Sequence, residues 1–164
     1  MNATRIVLVT GVSGSGKTTV GTRVAARLGW PYFEGDDFHS PASRARMARG
    51  EPLEDADRTP WLAALRAAMD GVRAADGRAV FSCSALRRAH REALIGDCDD
   101  VLLVHLAGDY DTIHARVAAR PGHWFAAGLV RSQFETLEPP ADALTLDVRE
   151  PIDVLVERVV AALA

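Results

Sequence analysis

The octapeptide Gly11-Val12-Ser13-Gly14-Ser15-Gly16-Lys17-Thr18 constrains this chain more than any other stretch. It satisfies the spacing G-x-x-x-x-G-K-[ST], and it lies between the apolar run Ile6-Val7-Leu8-Val9 and a helical pattern that begins at Lys17. Glycines let successive backbone N–H groups turn inward around phosphate oxygens, and the following helix adds the positive end of its dipole. The sequence therefore predicts an ATP site in which Gly11, Ser13, Gly14, Ser15, Gly16, Lys17, Thr18 and Thr19 surround the phosphates. Lys17 is expected to bridge the β- and γ-phosphates, and the Thr18 hydroxyl to reach Mg²⁺, a hard cation that takes few protein oxygens. A loose Gly/Ser turn before a surface lysine would fit the bare spacing, but not its place between strand and helix.

The rest of the chain continues the alternation. Val20, Val24 and Leu28 share one helical face that stops at Gly29, and Tyr32-Phe33-Glu34 reads as a short strand running into the acidic turn Gly35-Asp36-Asp37. Pro60 is expected in the first turn of a helix whose Trp61, Leu65, Met69 and Val72 form either core or a dimer face. Strands are expected at 79–83, 101–106 and 144–148, and helices at 86–95, 111–119 and from Pro151 onward. His105 interrupts an apolar strand and reads as a core histidine with a satisfied hydrogen bond. Pro121-Gly122 opens about twenty residues of mixed character, for which no element is expected. Strands alternating with helices imply an α/β fold with a five-stranded parallel sheet, helices on both faces, and one domain over 1–164.

Composition narrows the partners. A formal net charge of -3 gives no general attraction to nucleic acid or to an anionic membrane, so anion binding must be local. The cluster Arg44, Arg46 and Arg49 is followed by Glu51, Glu54, Asp55 and Asp57, and fits a helix bordering an anionic substrate better than a nucleic-acid surface. Cys83 and Cys98 offer no disulfide framework or metal spacing, which suits the cytoplasm. The run 6–9 is far too short for a signal peptide or a membrane span.

Glu34 and Asp36 follow the second strand, and in an open parallel sheet they stand at the carboxyl edge where ligands bind. One carboxylate there is expected to hold Mg²⁺ through water, and the other to orient an acceptor hydroxyl and take its proton.

The chain resembles the small P-loop gluconokinases (the thermoresistant gluconokinase family), related in fold to shikimate and nucleoside monophosphate kinases. Beyond the phosphate loop the resemblance rests on 34–39 (EGDDFH), 47–53 (MARGEPL), 55–62 (DADRTPWL), 83–87 (CSALR), 122–125 (GHWF) and 132–139 (SQFETLEP). It implies transfer of the ATP γ-phosphoryl to the 6-hydroxyl of D-gluconate. It also implies Asp36 as the base, Glu34 on Mg²⁺ through water, and His39, Arg46, Arg58, Arg87 and Gln133 around the sugar acid. By the same resemblance 121–140 is a mobile lid, one or both of Arg116 and Arg120, which flank its entrance, neutralise charge on the transferring group, and homodimers are common in the family. The chain departs from the family pattern at Arg87, where lysine is common, at His90, where tyrosine is common, and at Trp124 in the late aromatic motif. The competing readings are a kinase of the same fold for shikimate, a nucleotide or another sugar acid, and a non-catalytic nucleotide-binding module. Ser82-Cys83-Ser84-Ala85 stands where a shikimate kinase is expected to carry a glycine triplet, and no Asn-Lys-x-Asp guanine motif occurs.

Overall fold

The computed structural model describes residues 3–120 and 124–164. Five parallel strands, β1 (Ile6–Thr10), β2 (Tyr32–Glu34), β3 (Ala79–Ser82), β4 (Val101–Ala107) and β5 (Leu144–Asp147), form one sheet in the order β2-β3-β1-β4-β5. β1 is central and every one of its residues is buried, the state its unbroken apolar sequence requires.

Alternation along β1 divides the core in two. Val7 and Val9 face a cluster built with α1 (Lys17–Leu28), α5 (Tyr110–Ala118), α6 (Trp124–Thr136) and α7 (Ile152–Ala162). Ile6 and Leu8 face the opposite cluster, filled by α3 (Asp55–Ala74) and α4 (Arg88–Ile95). Helices therefore cover both faces of the sheet. α1 begins and ends where the sequence places it, with Gly29 in the left-handed conformation as its cap. Trp61, Leu65 and Met69 are 3%, 1% and 0% exposed, so this stripe is core and not a dimer face.

Two elements depart from expectation. α3 starts at Asp55, five residues before Pro60, because Glu54 and Asp57 close a capping box upstream. Pro60 thus stands inside the helix and not in its first turn. The stretch read as mixed contains α6, whose Ser132 and Gln133 turn toward a cleft instead of solvent, while Val130 is buried. α2 (Pro41–Ala48) is the helix of the basic cluster, capped by the Ser40 hydroxyl and opened by Pro41 at its first position. His105 is 4% exposed, as a core histidine should be, but its Nδ1 has no hydrogen-bond partner among the described residues. Among the described residues no helix is long and apolar enough to cross a membrane.

Candidate active site

The carboxyl ends of β1, β2 and β3 open on one cleft of about 580 Å³, walled on the far side by α6. The phosphate loop forms its floor. Gly14 adopts φ +83°, and a Cβ there would stand 2.2 Å from Val117 Cγ2, so the loop packs on α5 only with glycine at this point. Ser13, Gly14, Gly16, Lys17, Thr18 and Thr19 line the cleft, whereas Gly11 and Ser15 sit beneath it. Lys17 Nζ donates to the Val12 carbonyl at 3.0 Å, and burial pulls the ammonium pKa down against the opposing pull of Asp36, Cys83 and Glu34. The Ser13 N–H donates to Gln133 Oε1 across the cleft.

Glu34, at the end of β2, is a convergence point for hydroxyls. Thr18 Oγ1 and the Tyr32 hydroxyl each donate to Oε2 at 2.7 Å, and Ser82 Oγ donates to Oε1 at 3.2 Å. A hydroxyl beside a carboxylate is the hard oxygen set that Mg²⁺ prefers, so Thr18 and Glu34 fit the ion expected there. Burial, helped by the neighbouring carboxylate, pushes the Tyr32 hydroxyl pKa well up, so it remains a donor.

Asp36 occupies a 3-10 helix, Gly35–Phe38, that follows β2 directly. Its carboxylate meets solvent inside the cleft, yet the surrounding walls desolvate it and raise its pKa, with Lys17 opposing and Glu34 and Asp37 reinforcing the shift. Trp61 Nε1 donates to the Gly35 carbonyl at 2.8 Å and so pins this turn to α3. His39 stacks on the same indole at 4.3 Å and is 8% exposed; burial, with Arg58 and Arg44 nearby, lowers its pKa to about 4. It is therefore neutral near pH 7, and its Nδ1 has no hydrogen-bond partner among the described residues.

The remaining residues singled out in the sequence divide between the cleft and its surroundings. Arg58, Gln133 and Arg120 line the cleft. Arg46 does not: it pairs with Asp57 at 2.8 Å and donates to the Pro52 carbonyl at 3.1 Å. Arg87 pairs with Asp55 at 3.2 Å and lines a separate groove between α3 and α4. Arg116 also lies off the cleft and bears on Asp147. Gly122 and His123 of the late aromatic motif fall outside the described residues, as does the first part of the expected lid.

Sequence reasoning missed Ser84, Leu86, Leu129 and Ser132 as lining residues. Ser84 and Leu86 come to it in the loop after β3, within a stretch that carried the family resemblance but no assigned role, and Leu129 and Ser132 come to it by the packing of α6 over the sheet edge. It also missed the Tyr32 and Ser82 hydroxyls on Glu34. Tyr32 was legible only as a strand residue, and Ser82 is 48 positions from Glu34 in sequence.

The family model described as Shikimate kinase matches residues 13–136 of the chain. The gluconokinase of Gluconobacter oxydans (strain 621H) is 47% identical over 139 residues, covering 84% of this chain and 78% of that protein. The thermoresistant gluconokinase of Escherichia coli (strain K12) is 38% identical over 152 residues, covering 90% and 87%. Among solved structures, a gluconokinase from Sinorhizobium meliloti 1021 matches with a TM-score of 0.87 at 36% identity, covering 99% of this chain and 93% of that one. Alike in sequence over most of its length and alike in fold, the chain belongs to the gluconokinase family, within the wider shikimate kinase group of ATP-dependent P-loop kinases.

Proposed function

We propose that this protein phosphorylates D-gluconate, moving the γ-phosphoryl of ATP to the 6-hydroxyl to give 6-phospho-D-gluconate and ADP. One observation carries the reading: the phosphate loop, the Glu34 and Asp36 carboxylates, and the polar groups of His39, Arg58 and Gln133 all face the same cleft. A phosphoryl donor and a polyol acid acceptor can therefore meet in one enclosed space. In-line transfer asks the protein mainly for positioning and charge stabilisation.

Each residue then has a task set by its chemistry. The loop N–H groups and Lys17 hold the β- and γ-phosphates, with Thr18 and Glu34 holding Mg²⁺, Glu34 through water. Magnesium bound there neutralises charge on the phosphates. Asp36 accepts the proton of the acceptor hydroxyl; desolvation raises its pKa and so makes it a better base than an ordinary carboxylate, with Lys17 opposing the shift. Arg120, which lines the cleft, stabilises charge on the group in transit, a task that Arg116, off the cleft and beside Asp147, does not share in this arrangement. Arg58 suits the sugar carboxylate, since a guanidinium offers that group two parallel donors. The neutral His39 suits a sugar hydroxyl, and Gln133 a second one.

Arg46 and Arg87 act at one remove. Arg46 fastens the Pro52 carbonyl beside the cleft, and Arg87 shares Asp55 with Arg58, whose ion pair measures 3.5 Å. In this reading 1–164 is one kinase domain and 121–140 is its lid, which shields the phosphoryl group from water. The net charge of -3 supports work on small diffusible substrates rather than on nucleic acid or membrane, and the free thiols of Cys83 and Cys98 suit the cytoplasm.

The test is an initial-rate assay of ADP release with ATP and Mg²⁺ over a panel of gluconate, other sugar acids, shikimate and nucleoside monophosphates. Gluconate is expected to give the highest kcat/KM. A stronger response to shikimate or a nucleotide would assign the cleft to that acceptor, and no response to any of them would favour a nucleotide-binding module.

A further inference from the structure

Tyr32 and Glu34 stand two residues apart on β2, so their side chains leave the strand on the same side. The register sets Glu34 beside Ser82 of β3, and that side faces α1. There the Tyr32 ring lies against the helix backbone at Gly21: a Cβ on Gly21 would stand 2.7 Å from Tyr32 Cε2. Thr18 is one turn earlier on the same helix.

The outcome is a closed set of hydrogen bonds. Tyr32 and Thr18 each donate to Glu34 Oε2 at 2.7 Å, Ser82 Oγ reaches Oε1 at 3.2 Å, and the Tyr32 and Ser82 hydroxyls bond to each other. Each hydroxyl has one proton. Thr18 and Tyr32 spend theirs on Glu34 Oε2, and Ser82 spends its own either on Oε1 or on the Tyr32 hydroxyl, so it holds the carboxylate directly or through Tyr32. Neither Tyr32 nor Ser82 lines the cleft, and Glu34 is the cleft residue that both hydroxyls touch.

We propose that Tyr32 and Ser82 are positioning residues that lock Glu34 against Thr18 and so prepare this pair of oxygens for Mg²⁺. The inference rests on the kinase reading above. A glutamate at the end of a three-residue strand has several rotamers open to it, and the two hydroxyls select the one that meets Thr18. Partners one step behind a metal-holding group ordinarily set its orientation and basicity.

Tyr32→Phe keeps the ring against Gly21 and removes only the hydroxyl; Ser82→Ala is the second variant. ADP binding is measured by calorimetry with and without Mg²⁺, alongside the Mg²⁺ concentration giving half-maximal turnover. The expected result is a requirement for about tenfold more Mg²⁺ in Tyr32→Phe, as for other residues behind a metal ligand. Metal-free ADP affinity, KM for gluconate and Tm should stay as in the unaltered protein. Because the two hydroxyls act through one carboxylate, the double variant should be little worse than Tyr32→Phe alone. An unchanged Mg²⁺ requirement in both variants, or an equal loss of ADP affinity with and without metal, overturns the proposal. If Mg²⁺ fails to strengthen ADP binding in the unaltered protein, the metal reading itself falls, a result visible before any variant is made.

Discussion

The side-chain carbonyl of Gln133 accepts the backbone N–H of Ser13, so α6 reaches over the cleft and closes a hydrogen bond on the phosphate loop. That N–H belongs to the set the loop offers to phosphate oxygens. Nucleotide binding and this contact therefore compete for one donor. Removing the competitor with Gln133→Ala should tighten ADP binding by about fivefold, the equivalent of one ordinary hydrogen bond. The same change should raise KM for gluconate, because the amide is then missing from the acceptor side. Calorimetry with ADP and steady-state kinetics with gluconate separate the two effects; weaker ADP binding would show that Gln133 supports the nucleotide instead.

Asp36 and Lys17 oppose each other across the cleft, each moderating the pKa shift that burial imposes on the other. Asp36→Asn keeps the shape and removes the base, so kcat should fall by about 10² to 10⁴, the usual worth of a positioned base. ADP affinity should change little. Loss of ADP binding in this variant would move Asp36 from proton transfer to nucleotide or metal binding. In the unaltered enzyme the acid limb of the kcat/KM profile should titrate above the ordinary carboxylate value of 3.8, in the direction that desolvation dictates.

Arg91 on α4 is 7% exposed and spends its guanidinium on three backbone carbonyls, Ala85 and Leu86 at 3.0 Å and Glu138 at 2.8 Å. It ties the chain that follows α6 to the loop after β3. Arg91→Met fills a similar volume but strips the donor from the Glu138 carbonyl and leaves Leu86 with only the Glu138 N–H at 2.8 Å and Ala85 with only the Thr10 hydroxyl at 3.4 Å, and should cost about 3 kcal/mol in urea unfolding. A loss below about 1 kcal/mol would mean that water replaces the guanidinium.

The parts of the fold carried by local pattern were legible in the sequence. β1 and α1 follow from an apolar run, a glycine loop and a Gly29 stop, and the structure keeps those bounds within a residue. α6 was not legible, because Gly128 interrupts it and because Ser132 and Gln133 face a polar cleft, so its apolar periodicity is broken on the functional side. Pro60 pointed to a helix start that the Glu54 and Asp57 capping box overrides. In the site, Lys17 and Thr18 at the start of α1 and Glu34 and Asp36 at the end of β2 could be located from the sequence, and all four reach the cleft. Arg46 and Arg87 could not, because their partners Asp57 and Asp55 are brought in by the packing of α3. Charge on a side chain says nothing about which carboxylate claims it.

His39 supplies a pH test. Its pKa falls from an ordinary 6.5 to about 4, so the unfolded chain binds a proton more readily than the folded one. Its contribution to stability is complete above pH 6.5 and is lost as pH falls toward 4, with buried His90 and His105 shifted in the same direction. His39→Gln should reduce the drop in unfolding free energy between pH 7.5 and pH 5 by about 1 to 2 kcal/mol. Equal drops in both proteins would place the titration elsewhere.

If the cleft brings ATP and a sugar acid together, phosphoryl transfer goes to a single hydroxyl. Its most direct measurement is ³¹P and ¹³C NMR of the products after ATP, Mg²⁺ and gluconate are incubated with the enzyme. One phosphomonoester at O6 of gluconate is expected for every ADP formed. ADP accompanied by inorganic phosphate alone, or a phosphoryl group on any other oxygen, would contradict it.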